Sequence, residues 1–101
     1  MALSKRTYNK KFNAQHGRCY YCGINLDEVK KIEIDHILPY SKYKNGQTTN
    51  LCLACLECNK SKGKQDPIKF KEQLLKKSPH KLIRGMFYYE FIKLYYNNTN
   101  E

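Results

Sequence analysis

Two C-x-x-C pairs, Cys19/Cys22 and Cys55/Cys58, constrain this chain more than any other feature. A disulfide inside either pair would close too small a loop to restrict an unfolded chain usefully. Four cysteines in two such pairs instead suit one tetrahedral thiolate site, a Cys₄ zinc staple. With 101 residues, the chain is of a size at which small domains often recruit such a staple. The first pair stands in Cys19-Tyr20-Tyr21-Cys22-Gly23, a knuckle-like turn in which glycine permits a positive φ. The fifth cysteine, Cys52, reads as a small buried residue. His16, near the first pair, is not needed as a ligand. Thiolate ligands favour a reducing compartment. No apolar run is long enough for a membrane span, and the first residues lack a signal-peptide apolar segment. A cytoplasmic protein with no membrane partner is the expectation.

Between the cysteine pairs lies a second group of polar residues. Ile32-Glu33-Ile34-Asp35 alternates apolar and acidic side chains as a half-buried strand does, and His36 follows directly. A regular strand sends Asp35 and His36 to opposite faces, so a shared site requires the strand to end or bulge there. Residues 39–49 read as loop, with Asn45-Gly46 as a tight-turn dipeptide. Asn50 to Leu53 begins either a second strand or a bend into a helix, and a short helix is expected from Ala54 to about Lys64, ended by Gly63.

The flanks read as helical. Lys5 to Gln15 forms a basic helix with Ser4 as N-cap and Gly17 as its stop, placing Tyr8 and Phe12 on one face and leaving Lys5, Lys10 and Lys11 largely exposed. Pro67 suits the first turn of a helix to Lys77 with Ile68, Phe70, Leu74 and Leu75 inward. Ser78-Pro79 opens a last helix with a stripe of Leu82, Ile83, Met86, Phe87, Glu90, Phe91 and Leu94, and with the pairs Tyr88/Tyr89 and Tyr95/Tyr96 packing on the core, stacking on bases being the lesser alternative. No repeat and no linker divides the chain. The expected fold is α+β in a single domain of residues 1–101, with a core of about 17–64 and C-terminal helices of about 67–96.

The formal charge of +10 concentrates polyanions near the surface. Charge alone fits any lysine-rich protein; beside a hydrolytic site it becomes informative. Asp35-His36-Ile37, Pro39, Asn50-Leu51 and the run Cys55-x-x-Cys58-Asn59-x-x-Lys62, with Cys19, Cys22, Gly23 and Glu33, resemble the HNH endonuclease family. That resemblance implies a ββα-metal core stapled by zinc. It makes His36 the general base that takes a proton from the attacking water. Asp35 would be a ligand of the catalytic divalent ion, and Asn50 would fix the loop and help orient the His36 ring. Asn59 stands where the family's last histidine usually stands, so the motif is of the HNN kind, with the Asn59 amide oxygen as second ligand.

Two oxygen ligands favour Mg²⁺ or Mn²⁺ over zinc or nickel. The resemblance implies cleavage of nucleic acid, with DNA as the expected form, to 5′-phosphate and 3′-hydroxyl ends. The rival reading is a non-catalytic, zinc-ribbon-like nucleic-acid-binding module, which would have no use for Asp35, His36 and Asn59 together. Lys60, Lys62 and Lys64 are candidate phosphate contacts, though each taken singly reads as a solvated charge. Oligomeric state, sequence preference and biological role stay open.

Overall fold

A computed structural model describes residues 3–84. Helix α1, Lys5–Ala14, starts where the Ser4 hydroxyl accepts a hydrogen bond from the Thr7 N–H at 3.1 Å. Two successive left-handed residues, His16 (φ 55°) and Gly17 (φ 66°), turn the chain after it. Glycine is required at 17 twice over, because a Cβ there would also stand 3.1 Å from the Phe12 ring. Tyr8 and Phe12 stack with centroids 6.4 Å apart and pack against the core.

The chain then forms the knuckle, closed by Gly23 N–H to Cys19 C=O at 3.0 Å and Cys19 N–H to Ile24 C=O at 2.8 Å. Gly23 takes φ 73°. A single 3₁₀ turn over Leu26–Glu28 leads to strand β1, Ile32–His36. Strand β2, Leu51–Cys55, pairs with it antiparallel in the register Ile34↔Leu53, Asp35↔Cys52 and His36↔Leu51. Helix α3, Leu56–Lys62, follows β2 without a loop, and Gly63 at φ 54° ends it. Two strands and the helix behind them form the centre of a mixed α+β fold.

All five residues of β2 are buried, whereas β1 is half-buried except at Asp35. The difference follows from their neighbours. One edge of β2 carries β1, and the other is covered at Leu53 by a side chain. Gln15 donates through Nε2 to the Leu53 carbonyl at 2.8 Å and accepts from the Leu53 N–H at 2.9 Å. The Tyr20 N–H adds a bond to the same carbonyl at 3.1 Å. The amide of Gln15 thus replaces one residue of a third strand and protects an otherwise open edge.

Helix α4, Pro67–Lys77, begins with Pro67 in its first turn and buries Phe70 and Leu74. Helix α5, Pro79–Arg84, packs beside it. Tyr21 sits at the centre of the core, edge-on to both Tyr20 and Phe70 with centroids 5.3 Å away in each case.

Several expectations are corrected. Ile68 and Leu75 are 42% and 56% exposed rather than inward, because α4 is buried along the line Pro67, Phe70 and Leu74. The stretch 39–49 holds a one-turn helix α2, Tyr40–Tyr43, whose left-handed C-cap is Lys44 (φ 55°), so the positive φ falls before Asn45-Gly46. The helix expected from Ala54 starts at Leu56, since β2 continues to Cys55. Lys11 is not free in solvent: its ammonium donates to the carbonyls of Thr48 (2.6 Å) and Leu51 (2.8 Å), and partial burial lowers its pKa. The stripe from Leu82 to Leu94 and the paired tyrosines lie outside the described residues, apart from the backbone of α5 to Arg84.

Replacing Gln15 by Ala leaves the Leu53 N–H without a partner in a buried place. The expected cost is about 1–3 kcal/mol, read as a fall of several degrees in Tm with secondary structure retained. An unchanged Tm would show that the strand edge does not depend on this amide.

Candidate functional site

Two sites share helix α3. In the first, the Sγ atoms of Cys19, Cys22, Cys55 and Cys58 all lie within 4.8 Å of one another, and all four residues are buried. Cys22 Sγ and Cys55 Sγ are 3.9 Å apart. A tetrahedral zinc with bonds of about 2.3 Å separates its sulfurs by about 3.8 Å, so the donor set and its spacing fit that ion. Backbone N–H groups already aim at the sulfurs: Cys55 N–H donates to Cys19 Sγ, and Cys58 N–H to Cys55 Sγ, each at 3.4 Å. Such bonds favour thiolates.

The crowded thiols hold their protons unequally. Hydrogen bonds from Cys22, Cys55 and Cys58 drive the Cys19 pKa down, while those to Cys19, Cys22 and Cys55 drive that of Cys58 up. A cation would resolve the competition by taking all four as thiolates. His16 is exposed and outside the cluster. Cys52 is buried outside it as well, and burial pushes its thiol pKa upward.

The second site begins at the end of β1. Asp35 is only 7% exposed. Its Oδ2 accepts from the Tyr21 hydroxyl and pairs with the Lys62 ammonium at 3.1 Å. Its Oδ1 accepts from the Asn59 amide at 3.3 Å. Adjacent ligands of an octahedral Mg²⁺ with bonds of about 2.1 Å stand about 3.0 Å apart. Asp35 Oδ1 and the end of the Asn59 side chain therefore have the spacing of two hard ligands, once the amide turns its oxygen inward.

Lys62 differs from the expectation of a solvated charge. It is 1% exposed, lies 5.7 Å above the Tyr21 ring, and also donates to the His36 carbonyl at 2.8 Å. A buried charge without a partner is costly, and Asp35 supplies the partner. Lys60 and Lys64 are exposed as expected.

His36 is the last residue of β1 and half-buried; its ring lies against Tyr40 with centroids 5.4 Å apart. The strand does end at this point. Asn50 is fully buried, and among the described residues its side chain bonds only backbone. It accepts from Leu38 N–H at 2.8 Å and donates to the carbonyls of Leu38 (3.0 Å) and Asn45 (2.8 Å). Its own carbonyl accepts from Ile37 N–H at 2.8 Å. Asn50 thus clamps the two ends of the loop that follows His36, and its amide reaches the ring only through the backbone it holds.

Sequence reasoning gave Tyr21 no role at this site. It is fully buried, and the Cys52 thiol donates to its hydroxyl at 3.6 Å, so a chain of donors runs from Cys52 through Tyr21 to Asp35. Burial, with the neighbouring Cys52 and Asp35, pushes the phenol pKa well up and keeps it a donor. No signal in the sequence ties a tyrosine inside a cysteine knuckle to a carboxylate in a later strand.

Residues 19–68 match a family model described as HNH endonuclease. A curated relative, Septu protein PtuB of Bacillus thuringiensis, is 39% identical over 54 residues, which cover 50% of this chain and 21% of that protein. The chain therefore matches only a small part of that relative's length.

The purified protein is expected to carry one zinc per chain. Cys58→Ser should lose it together with the folded state, because three thiolates leave an open site; Cys52→Ala should retain it. Elemental analysis and circular dichroism of the two variants check this, and a folded, zinc-free Cys58→Ser protein would refute it.

Proposed function

Residues 19–68 of this chain belong to the HNH endonuclease family, and on that premise we propose that the protein is a metal-dependent endonuclease hydrolysing phosphodiester bonds of nucleic acid, with DNA as the expected substrate. The observation that carries the proposal is the convergence of Asp35 and Asn59, 3.3 Å apart, beside the strand that ends in His36. A nucleic-acid-docking module has no need for such an arrangement.

In this reading His36 accepts a proton from the attacking water, which adds to phosphorus as the 3′ oxygen leaves. Imidazole suits that task at neutral pH. Asp35 Oδ1 and the Asn59 amide oxygen would hold Mg²⁺ or Mn²⁺, which when bound offsets charge growing on the phosphate and the leaving oxygen. Asn50 keeps the loop after His36 in one conformation, so the ring need not be ordered at each turnover. Zinc at the four cysteines is structural, since a Cys₄ set leaves no open coordination position. The +10 charge would draw the polyanion to the surface.

A plasmid-nicking assay with Mg²⁺ or Mn²⁺ tests the proposal. His36→Ala should lower the rate by about 10²–10⁴-fold while zinc content and DNA binding stay near wild type. Nicking at the wild-type rate would remove His36 from the reaction. A second series concerns Asn59. Asn59→His should shift the preferred metal toward nickel or zinc, because imidazole favours later metals. Asn59→Ala should recover activity in part at high Mn²⁺. Identical metal profiles in wild type and both variants would show that Asn59 is not a ligand.

A further inference from the structure

The charges around Asp35 add up in an unexpected way. A site meant to hold a divalent cation unaided gathers several carboxylates, yet here the one carboxylate that the described residues bring to it is already paired. Lys62 stands 3.1 Å from Asp35 Oδ2 and is 1% exposed, so water does little to screen the pair. The Tyr21 hydroxyl holds the same oxygen. Among the described residues, Asn59 at Oδ1 and Cys52, which reaches the site through the Tyr21 hydroxyl, bring no second negative charge. Glu33, on the same strand, turns to Lys31 at 3.2 Å, and Glu57, on α3, turns to Lys81 at 3.6 Å. The Asp35–Lys62 pair has no net charge, and only Oδ1 remains for an ion.

We propose that Lys62 makes the catalytic-ion site incomplete in the free protein, so that the divalent ion binds together with a nucleic-acid phosphate that supplies the missing negative charge. The inference rests on the nuclease reading of Asp35 and Asn59 and adds the order in which that site is filled. Lys62 is a positioning residue in this scheme. It fixes Oδ2 away from the ion and ties the carboxylate to the His36 backbone through its 2.8 Å bond. The consequence is economical: without substrate, the protein does not hold an ion beside its general base.

The test uses the zinc-loaded full chain carrying His36→Ala, so that the substrate stays intact. Binding of Mn²⁺ is read by the electron paramagnetic resonance of the free ion, with and without a short DNA duplex. The duplex alone, and the protein with Asp35→Asn added, serve as blanks. The Mn²⁺ dissociation constant should fall about tenfold or more when the duplex is present, within the usual range of coupling between two ligands. Adding Lys62→Met should tighten Mn²⁺ binding to the duplex-free protein by about tenfold and shrink the effect of the duplex. Lys62→Arg, which keeps the charge, should restore the coupling.

Equal Mn²⁺ affinity with and without the duplex overturns the proposal and leaves the nuclease reading standing. A Lys62→Met protein that folds but binds Mn²⁺ no tighter also overturns it. Should Lys62→Met lose its zinc and unfold, the comparison with and without duplex decides alone. If Asp35-dependent binding is absent in every arm, Asp35 is no metal ligand, and the nuclease reading of the site fails with the inference.

Discussion

Four sulfurs held within 4.8 Å of one another are the constraint on which the rest of this small protein depends. The knuckle that supplies Cys19 and Cys22 comes before β1, whereas Cys55 and Cys58 span the junction of β2 and α3. Joining them brings two distant parts of the chain together and sets where α3 leaves the sheet. Two five-residue strands have little stability by themselves. A metal at this place would supply cohesion that so small a sheet lacks.

The same junction builds the candidate catalytic site. Asn59 follows Cys58 directly, and Lys62 lies a turn further on, where helical spacing brings both toward Asp35. From the other side, Tyr21 stands between the knuckle cysteines and donates to the same carboxylate. Both arms of the sulfur cluster therefore carry a residue that touches Asp35. Position in the four-cysteine site and position in the candidate catalytic site are consequently coupled, and a shift of α3 would be felt at both.

Polar side chains that bond backbone take the place of additional secondary structure. Gln15 covers the outer edge of β2 at Leu53. Lys11 ties α1 to the carbonyls of Thr48 and Leu51, and Asn50 clamps the loop after His36 at Leu38 and Asn45. Each is a single side chain holding a segment that a larger protein would hold with another strand. Lys62 is the extreme case, a buried ammonium whose partners among the described residues are one carboxylate, one carbonyl and the face of the Tyr21 ring.

The sequence by itself determined the four-cysteine cluster and the order of Asp35, His36, Asn50 and Asn59 along the chain, while the strand–strand–helix core followed from the family resemblance, since the residues alone left Asn50 to Leu53 as strand or bend. Such features are written in spacing and residue type: paired cysteines, an alternating strand, and glycine or proline at element ends. Family membership was legible for the same reason, since Asp35-His36, Asn50 and Cys58-Asn59 keep their order along the chain. Only the tertiary structure decided what surrounds them. Lys62 reads as one more surface lysine among many until β1 and α3 close over it, and Tyr21 as a knuckle residue until its hydroxyl meets Asp35. The inward face of α4 was misjudged at Ile68 and Leu75 because periodicity shows that a helix has an apolar face, not how wide a strip its neighbours cover. Burial and ion pairing depend on residues distant in the chain, and no local pattern records them.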